Sequence, residues 1–358
     1  MIRKYLLRFC IIFAWLFGIS LALYWPKINF FSYNDNSINV FAWSDILHPD
    51  IVAKFEKETG IKVKFNYYSS NEELLVKLKA TQGEGYDLII PSDYALQHLI
   101  QNNLLKSIDK SKLPFWNTIN SNLLNHSFDP SNHYSIPFAW EIFLFVVNKD
   151  YFQKYPAPPS WKLVFDQNSI NYKIAMSNDP IEATLFASFY LFGSTNSLSP
   201  SQINQVQHLL IEQRKWVEVY ASFRGDYFLS TGSCQLAIAS SSYLWRTLNL
   251  FPSIGFMIPK EGTFITLESL AIPRLSKKEA LTYQLINYLF QEQSVRAHFD
   301  TFAYFPSTLN SIPNLKLNPD VKRLLFSSKK DFENFHFMHE VMPQQKMTDV
   351  WVEVKSKN

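Results

Sequence analysis

Six side chains from four separated stretches have the chemistry of a cation site: Trp43 and Asp45; Tyr94; Asp179 and Glu182; and Glu268. Carboxylates hydrogen-bond ammonium groups strongly once both are partly removed from water. Aromatic faces pack against methylenes and attract cations, at about 0.5–2 kcal/mol per good contact. Asp179 and Glu182 are three residues apart, so on a helix they share one face. Glu268 comes from a distant segment and can hold the opposite end of a ligand. The set suits an elongated organic cation with an apolar body. Each residue also has an ordinary structural use. Asp179 and Glu182 suit any helix N-terminus, Trp43 and Tyr94 suit a core edge, and Glu268 suits a strand start at the surface.

Their positions relative to strands favour the site. Phe41–Asp45, Tyr86–Tyr94 and Glu268–Pro273 read as strands or strand edges. In α/β proteins the loops beyond the carboxyl ends of the strands converge on one crevice. From Ile38 the pattern predicts a strand to Trp43, a helix opened by His48-Pro49-Asp50 and ended by Gly60, and a strand in which Ile61, Val63, Phe65 and Tyr67 alternate with polar residues. A capping box, Ser70 with Glu73, then opens a helix that buries Leu74, Leu75 and Leu78. Gly83 and Gly85 stop it before a strand over 87–91. Two β-α units followed by a strand indicate a parallel sheet with helical crossovers. Further on, the pattern predicts strands over 170–176, 235–240, 254–258 and 267–272, with helices over 179–192, from Ser199 through Tyr220, and from Ser276 onward. Tyr134–Phe138 reads as an extended crossing between lobes. The last forty residues read as helix-rich and aromatic without a defined place.

The composition excludes several classes. A chain of 358 residues, 47% apolar and 18% charged, is globular and long enough for two cores. Without Arg3, Lys4 and Arg8 the 34 basic residues fall to the 31 of the acidic set, so the body is neutral and lacks the basic footprint of a nucleic-acid binder. Those three residues precede or border an apolar run ending near Trp25, with Ser20-Leu21-Ala22 as a small-x-small site. Residues 1–25 thus read as a signal peptide or, uncleaved, an N-terminal anchor, and in either case the body is exported. Cys234 is the only cysteine beyond Cys10, so the body has no internal disulfide. His336-Phe337-Met338-His339 could place two imidazoles on one helix face, but no further ligands stand at metal-site spacing. No phosphate loop, nucleophile elbow or zinc signature appears. Asp179 and Glu182 as the acid–base pair of a hydrolase lie too close together to flank a scissile bond. The chain reads as a non-enzyme with no cofactor and no metal.

Several runs resemble the periplasmic polyamine-binding proteins, the spermidine/putrescine receptors of ABC importers. They are Phe55–Val63, Ser70-Asn71-Glu72, Tyr86–Tyr94, Lys106–Leu113, Phe128-Asp129-Pro130, Ser135-Ile136-Pro137 and Glu268–Pro273. The resemblance covers roughly residues 38–310. It implies a two-lobed α/β periplasmic-binding-protein fold, each lobe a mostly parallel sheet flanked by helices, with hinge crossings that close on ligand. It implies lobe 1 over 38–137 and 262–312, and lobe 2 over 138–261 and 313–358. It also implies a periplasmic monomer that captures polyamine and passes it to membrane permease subunits. Trp43-Ser44-Asp45 match the family's aromatic-hydroxyl-acid triplet. Ser92 and Tyr94 match its Pro-Ser-x-Tyr segment, Asp179 and Glu182 its acid-x-x-acid element, Glu268 its acid before Ser-Leu-Ala-Ile-Pro, and Tyr304 its pocket-edge tyrosine. Three wall aromatics are replaced here, by Ile46, Ser240 and Thr266, with Tyr243 and Trp245 close by in sequence. A more polar wall for a polyamine, or a pocket for another small organic cation or metal complex, both fit that pattern.

Overall fold

A computed structural model describes residues 13, 15, 17, 36–166, 168, 171–221, 225–308, 319–325 and 328–356. The chain falls into two compact units, Met1–Ser37 and Ile38–Asn358. The signal or anchor reading of residues 1–25 lies outside the described residues except for Phe13, Trp15 and Phe17, which are helical and exposed. No helix among the described residues is long and apolar enough to cross a membrane.

The first sheet is built as the sequence pattern predicts. Strand β1 (Ser37–Ala42) lies between β2 (Lys62–Tyr67) and β3 (Leu88–Ile89), with β1 and β3 parallel. The helix Pro49–Thr59 buries Ile51, Val52 and Phe55 and ends on Gly60, whose positive φ lets its N–H reach Glu56 O. The helix Asn71–Thr81 buries Leu74, Leu75 and Leu78. Its cap differs from the expected box. The Ser70 hydroxyl accepts from Glu73 N–H, but the Glu73 carboxylate accepts from Ser69, one residue further back. The left-handed stop falls on Gln82, ahead of the two glycines.

The second sheet has eight strands, along the order β11-β9-β4-β7-β5-β6. Its members are β4 (Ile136–Asn148), β5 (Ile174–Met176), β6 (Val217–Tyr220), β7 (Leu236–Ser240), β8 (Ile254–Met257), β9 (Thr263–Leu270), β10 (Phe305–Pro306) and β11 (Phe335–Phe337). The first half of β4 runs antiparallel to β9 and β10, its second half to β7 and β8. At its end and just past it, β9 runs beside the first sheet, with Ser92 bridged to Glu268 and Ile89 to Ala271. Strands β4 and β9 are therefore the crossings that tie the two sheets together. The crossing begins at Ile136, as the Tyr134–Phe138 segment predicts.

Two expectations fail in the second half. The helix predicted through Tyr220 ends at Gln213, and Val217–Tyr220 is strand β6, parallel to β5. The β-branched alternation Val217-Glu218-Val219 wins there over a helix that no Gly or Pro interrupts. His336 lies in a strand rather than a helix, so His336 and His339 share no helical face. The terminal residues, unplaced by sequence, supply β11, parallel to β9, and the helix Gln344–Ser356, which buries Met347, Val350 and Val354.

One turn sets the β9–β11 pairing. Gly262 has φ 115°, and a Cβ there would stand 2.7 Å from Asn334 O, the acceptor of Thr263 N–H at 3.0 Å. Its own carbonyl accepts from Trp161 Nε1 at 2.9 Å. Gly262→Ala is expected to cost ~1–3 kcal/mol of stability. The check is a lower denaturant midpoint at unchanged slope. Cys234 is buried and not in a disulfide.

Candidate functional site

Glu268 is the centre of the site. It lies on β9 where that strand leaves the second sheet for the first, and both carboxylate oxygens are held from the first sheet's side. Trp43 Nε1 donates to Oε2 at 3.1 Å and Ser92 Oγ to Oε1 at 2.6 Å. Local structure aims both donors. The indole of Trp43 follows β1 and rests on Tyr68 at 4.5 Å between centroids, while the Tyr68 hydroxyl is fixed by donation to Ile90 O at 2.6 Å. Ser92 is the N-cap residue of the helix Asp93–Gln101, yet its hydroxyl makes no cap bond and goes to Glu268 instead. Asn71 Nδ2 donates to the same hydroxyl at 3.2 Å. Burial lifts Glu268 to about 7, against the lowering by Ser92 and Trp43, and Glu141 adds to the rise.

The second pair stands at the start of the helix Pro180–Phe192. Asp179 is its N-cap, with Oδ1 accepting from Ile181 N–H at 2.7 Å and Glu182 N–H at 3.1 Å. The capping role foreseen for this residue is thus real. Burial still raises Asp179, and the Glu72 charge adds to it. Glu182 accepts from the Ser177 hydroxyl and is pushed up to about 8, first by burial, then by Asp179, with Glu141 contributing. Asp179, Glu182 and Glu268 are each half-buried.

The remaining predicted residues fall into three groups. Tyr304 is half-buried, its hydroxyl raised by burial and by the charges of Glu141, Glu268 and Asp45. It shares a small apolar cavity with Ile46, Phe138 and His298. Tyr94 is buried and donates to Glu72 rather than to any other predicted residue, although Asp179 lies within its electrostatic reach. Ser44 and Asp45 lie exposed in the turn after β1.

Sequence reasoning missed Asp93, Glu72 and Glu141. Asp93 is buried in the first turn of its helix and held well above the usual carboxylate range, by burial and then by Glu268, more than the Tyr94 and Met338 amides lower it. Only Glu141 left a usable signal, as the one charge in the strand IPFAWEIFLFVVN. Among the described residues, none of the influences that shift Glu268, Asp93, Asp179 or Glu182 comes from a lysine or arginine. No group of three or more His, Cys, Asp or Glu among the described residues is placed to hold a metal ion.

Two α/β sheets tied by crossing strands, with Glu268 on one crossing and Glu141 on the other, are the frame in which these carboxylates sit. The chain belongs to the family described as bacterial extracellular solute-binding protein, whose pattern matches residues 50–324. It is 28% identical over 315 residues to the spermidine/putrescine-binding periplasmic protein of Escherichia coli, covering 86% of this chain and 88% of that one. It is 27% identical over 347 residues to the putrescine-binding periplasmic protein SpuD of Pseudomonas aeruginosa, covering 90% and 93%. Among solved structures, the spermidine/putrescine ABC transporter substrate-binding protein PotD of Streptococcus pneumoniae superposes with a TM-score of 0.73 at 22% identity, covering 90% of this chain and 99% of that one.

Proposed function

We propose that this protein is an extracytoplasmic receptor that captures a polyamine of the spermidine/putrescine class and delivers it to a membrane ABC permease, without catalysing a reaction. We assign lobe 1 to residues 38–137 and 262–312 and lobe 2 to 138–261 and 313–358. The ligand lies between them, against Trp43, Ser44, Asp45, Ser92, Tyr94, Asp179, Glu182, Glu268 and Tyr304. One observation carries this reading: acids from separate segments lie within electrostatic reach of one another, Glu268 with Asp93 and Glu141, and Glu182 with Asp179 and Glu141, and each such charge raises its neighbour. Bringing such groups together costs free energy unless a polycation enters with them. A ligand that interacts with both lobes at once favours the closed arrangement over the open one. The relatives named for spermidine and putrescine point to the same ligand class.

Isothermal titration of the purified protein with putrescine, spermidine and ferric ion tests this reading. Heat that saturates with an amine, and none with iron, is the expected result. Saturation by iron alone would replace the polyamine reading with that of a metal-complex receptor.

A further inference from the structure

The small cavity that Tyr304 lines lies beside Glu268. Ala139, on its wall, is paired directly across the β4–β9 ladder from Glu268, which places the two Cβ atoms about 5 Å apart on one face. The register of that pairing shifts between Pro137 and Ala139, an irregularity of the kind that re-aims side chains, and the consecutive residues Phe138 and Ala139 both line the cavity. Two polar side chains in its lining are almost fully buried, His298 at 7% exposed and Thr308 at 2%. His298 Nδ1 lies 2.6 Å from Ser294 O, one turn earlier in the helix Glu292–Phe302. A carbonyl can only accept, so that nitrogen carries the proton and Nε2 of the neutral ring is an acceptor. Burial keeps the ring neutral by bringing it down to about 4. Neither Nε2 nor Thr308 Oγ1 meets a partner among the described residues. No carboxylate, lysine or arginine lines the cavity.

We propose that this cavity is a subsite for a hydroxyl group carried by the ligand, so that the receptor favours a hydroxylated diamine over the plain one. This rests on the polyamine reading, in which an ammonium meets Glu268. A hydroxyl is the group that the lining selects. Its O–H donates to His298 Nε2 while its oxygen accepts from the Thr308 hydroxyl, so one heavy atom satisfies both. A carbonyl cannot donate to Nε2, a methyl pairs with neither group, and an ammonium would enter an apolar wall without a counter-charge. Size agrees. The free space of about 20 Å³ exceeds the roughly 10–15 Å³ that one water needs, and so suits a branch ending in a single heavy atom. Such a branch, on the carbon next to the one that bears the ammonium, is short enough to turn from Glu268 toward the Ala139 wall.

Calorimetric titration with putrescine, spermidine and each enantiomer of 2-hydroxyputrescine tests the assignment. The wild type should bind one enantiomer at least about fivefold more tightly than putrescine. Thr308→Val, close in size but without the hydroxyl, should lower that preference by about threefold or more while changing putrescine by less than about twofold. Two enantiomers that bind no more tightly than putrescine would overturn the subsite and leave the polyamine reading intact, because water would then serve His298 and Thr308 as well as a ligand hydroxyl does. An unchanged preference in Thr308→Val would overturn it as well. So would binding of spermidine with no binding of either diamine. If none of these amines binds, the polyamine reading falls and the subsite falls with it. The wild-type comparison needs no variant, so it decides even if Thr308→Val misfolds.

Discussion

Glu268→Gln is expected to weaken polyamine binding by about a hundredfold, whereas Asp45→Asn should change it by less than about fivefold. The contrast follows from their surroundings. Glu268 is half-buried, aligned by Trp43 and Ser92, and raised by burial, so an ammonium meeting it forms a charge pair largely removed from water. Removing one partner of such a pair typically costs 2–5 kcal/mol, because the other charge is left desolvated and uncompensated. Asp45 lies exposed in a turn, where an ion pair typically contributes about 0.2–1 kcal/mol. Glutamine retains one acceptor for the Trp43 and Ser92 donors, so the folded site should survive the change. Calorimetric dissociation constants for spermidine, with thermal midpoints as a fold control, decide the matter. Comparable losses in the two variants would mean that Glu268 is not the anchor, and the charge centre would have to be sought at Asp179 and Glu182 instead.

The first sheet was readable because its signals are local. Alternation in Ile61–Tyr67, the Ser70 cap and the stop at Gly60 each depend on neighbours in sequence, and each appears in the structure. The same holds for the capping box of Ser199 with Gln202 and for Asp179 as an N-cap. What stayed hidden depends on distant partners. Strand β11 exists because β9 offers it an open edge, and nothing in Phe335–Phe337 announces that pairing. Val217–Tyr220 alternates locally, but no Gly or Pro separates it from the preceding helix, and its pairing with β5 fixes it as a strand. In the candidate site the sequence offered acids in matching order, but not which neighbour each of them meets. Ser92 ignoring its own helix to donate to Glu268, and Tyr94 turning to Glu72, are set by spatial neighbours far off in sequence. Glu141 was overlooked although a lone acid in a thirteen-residue apolar strand is unusual. A half-buried charge in a strand that crosses between sheets is better weighed as functional from the outset.

Putrescine affinity is expected to rise by between about tenfold and five-hundredfold from pH 6 to pH 8. With no ligand, Glu268 near 7 and Glu182 near 8 hold protons through much of that interval, and Glu182 titrates together with Asp179 as one system. The diamine, about as basic as lysine, stays fully charged throughout, so only the protein titrates. Each site carboxyl must shed its proton to meet an ammonium, which makes binding release protons, about one per ligand near pH 7. Stability without ligand should move the opposite way. A carboxyl whose folded value is raised binds more protons folded than unfolded, so its contribution is greatest in acid and is lost as pH rises through the folded value. The unliganded protein should therefore lose thermal stability between pH 6 and 8, while the upward shift produced by putrescine grows over the same range. Titrations in buffers of different ionisation enthalpy read the protons directly. An affinity constant within threefold across this interval, with no proton released, would mean that these carboxyls are already ionised in the empty site. The convergence of like charges would then not be what the ligand relieves.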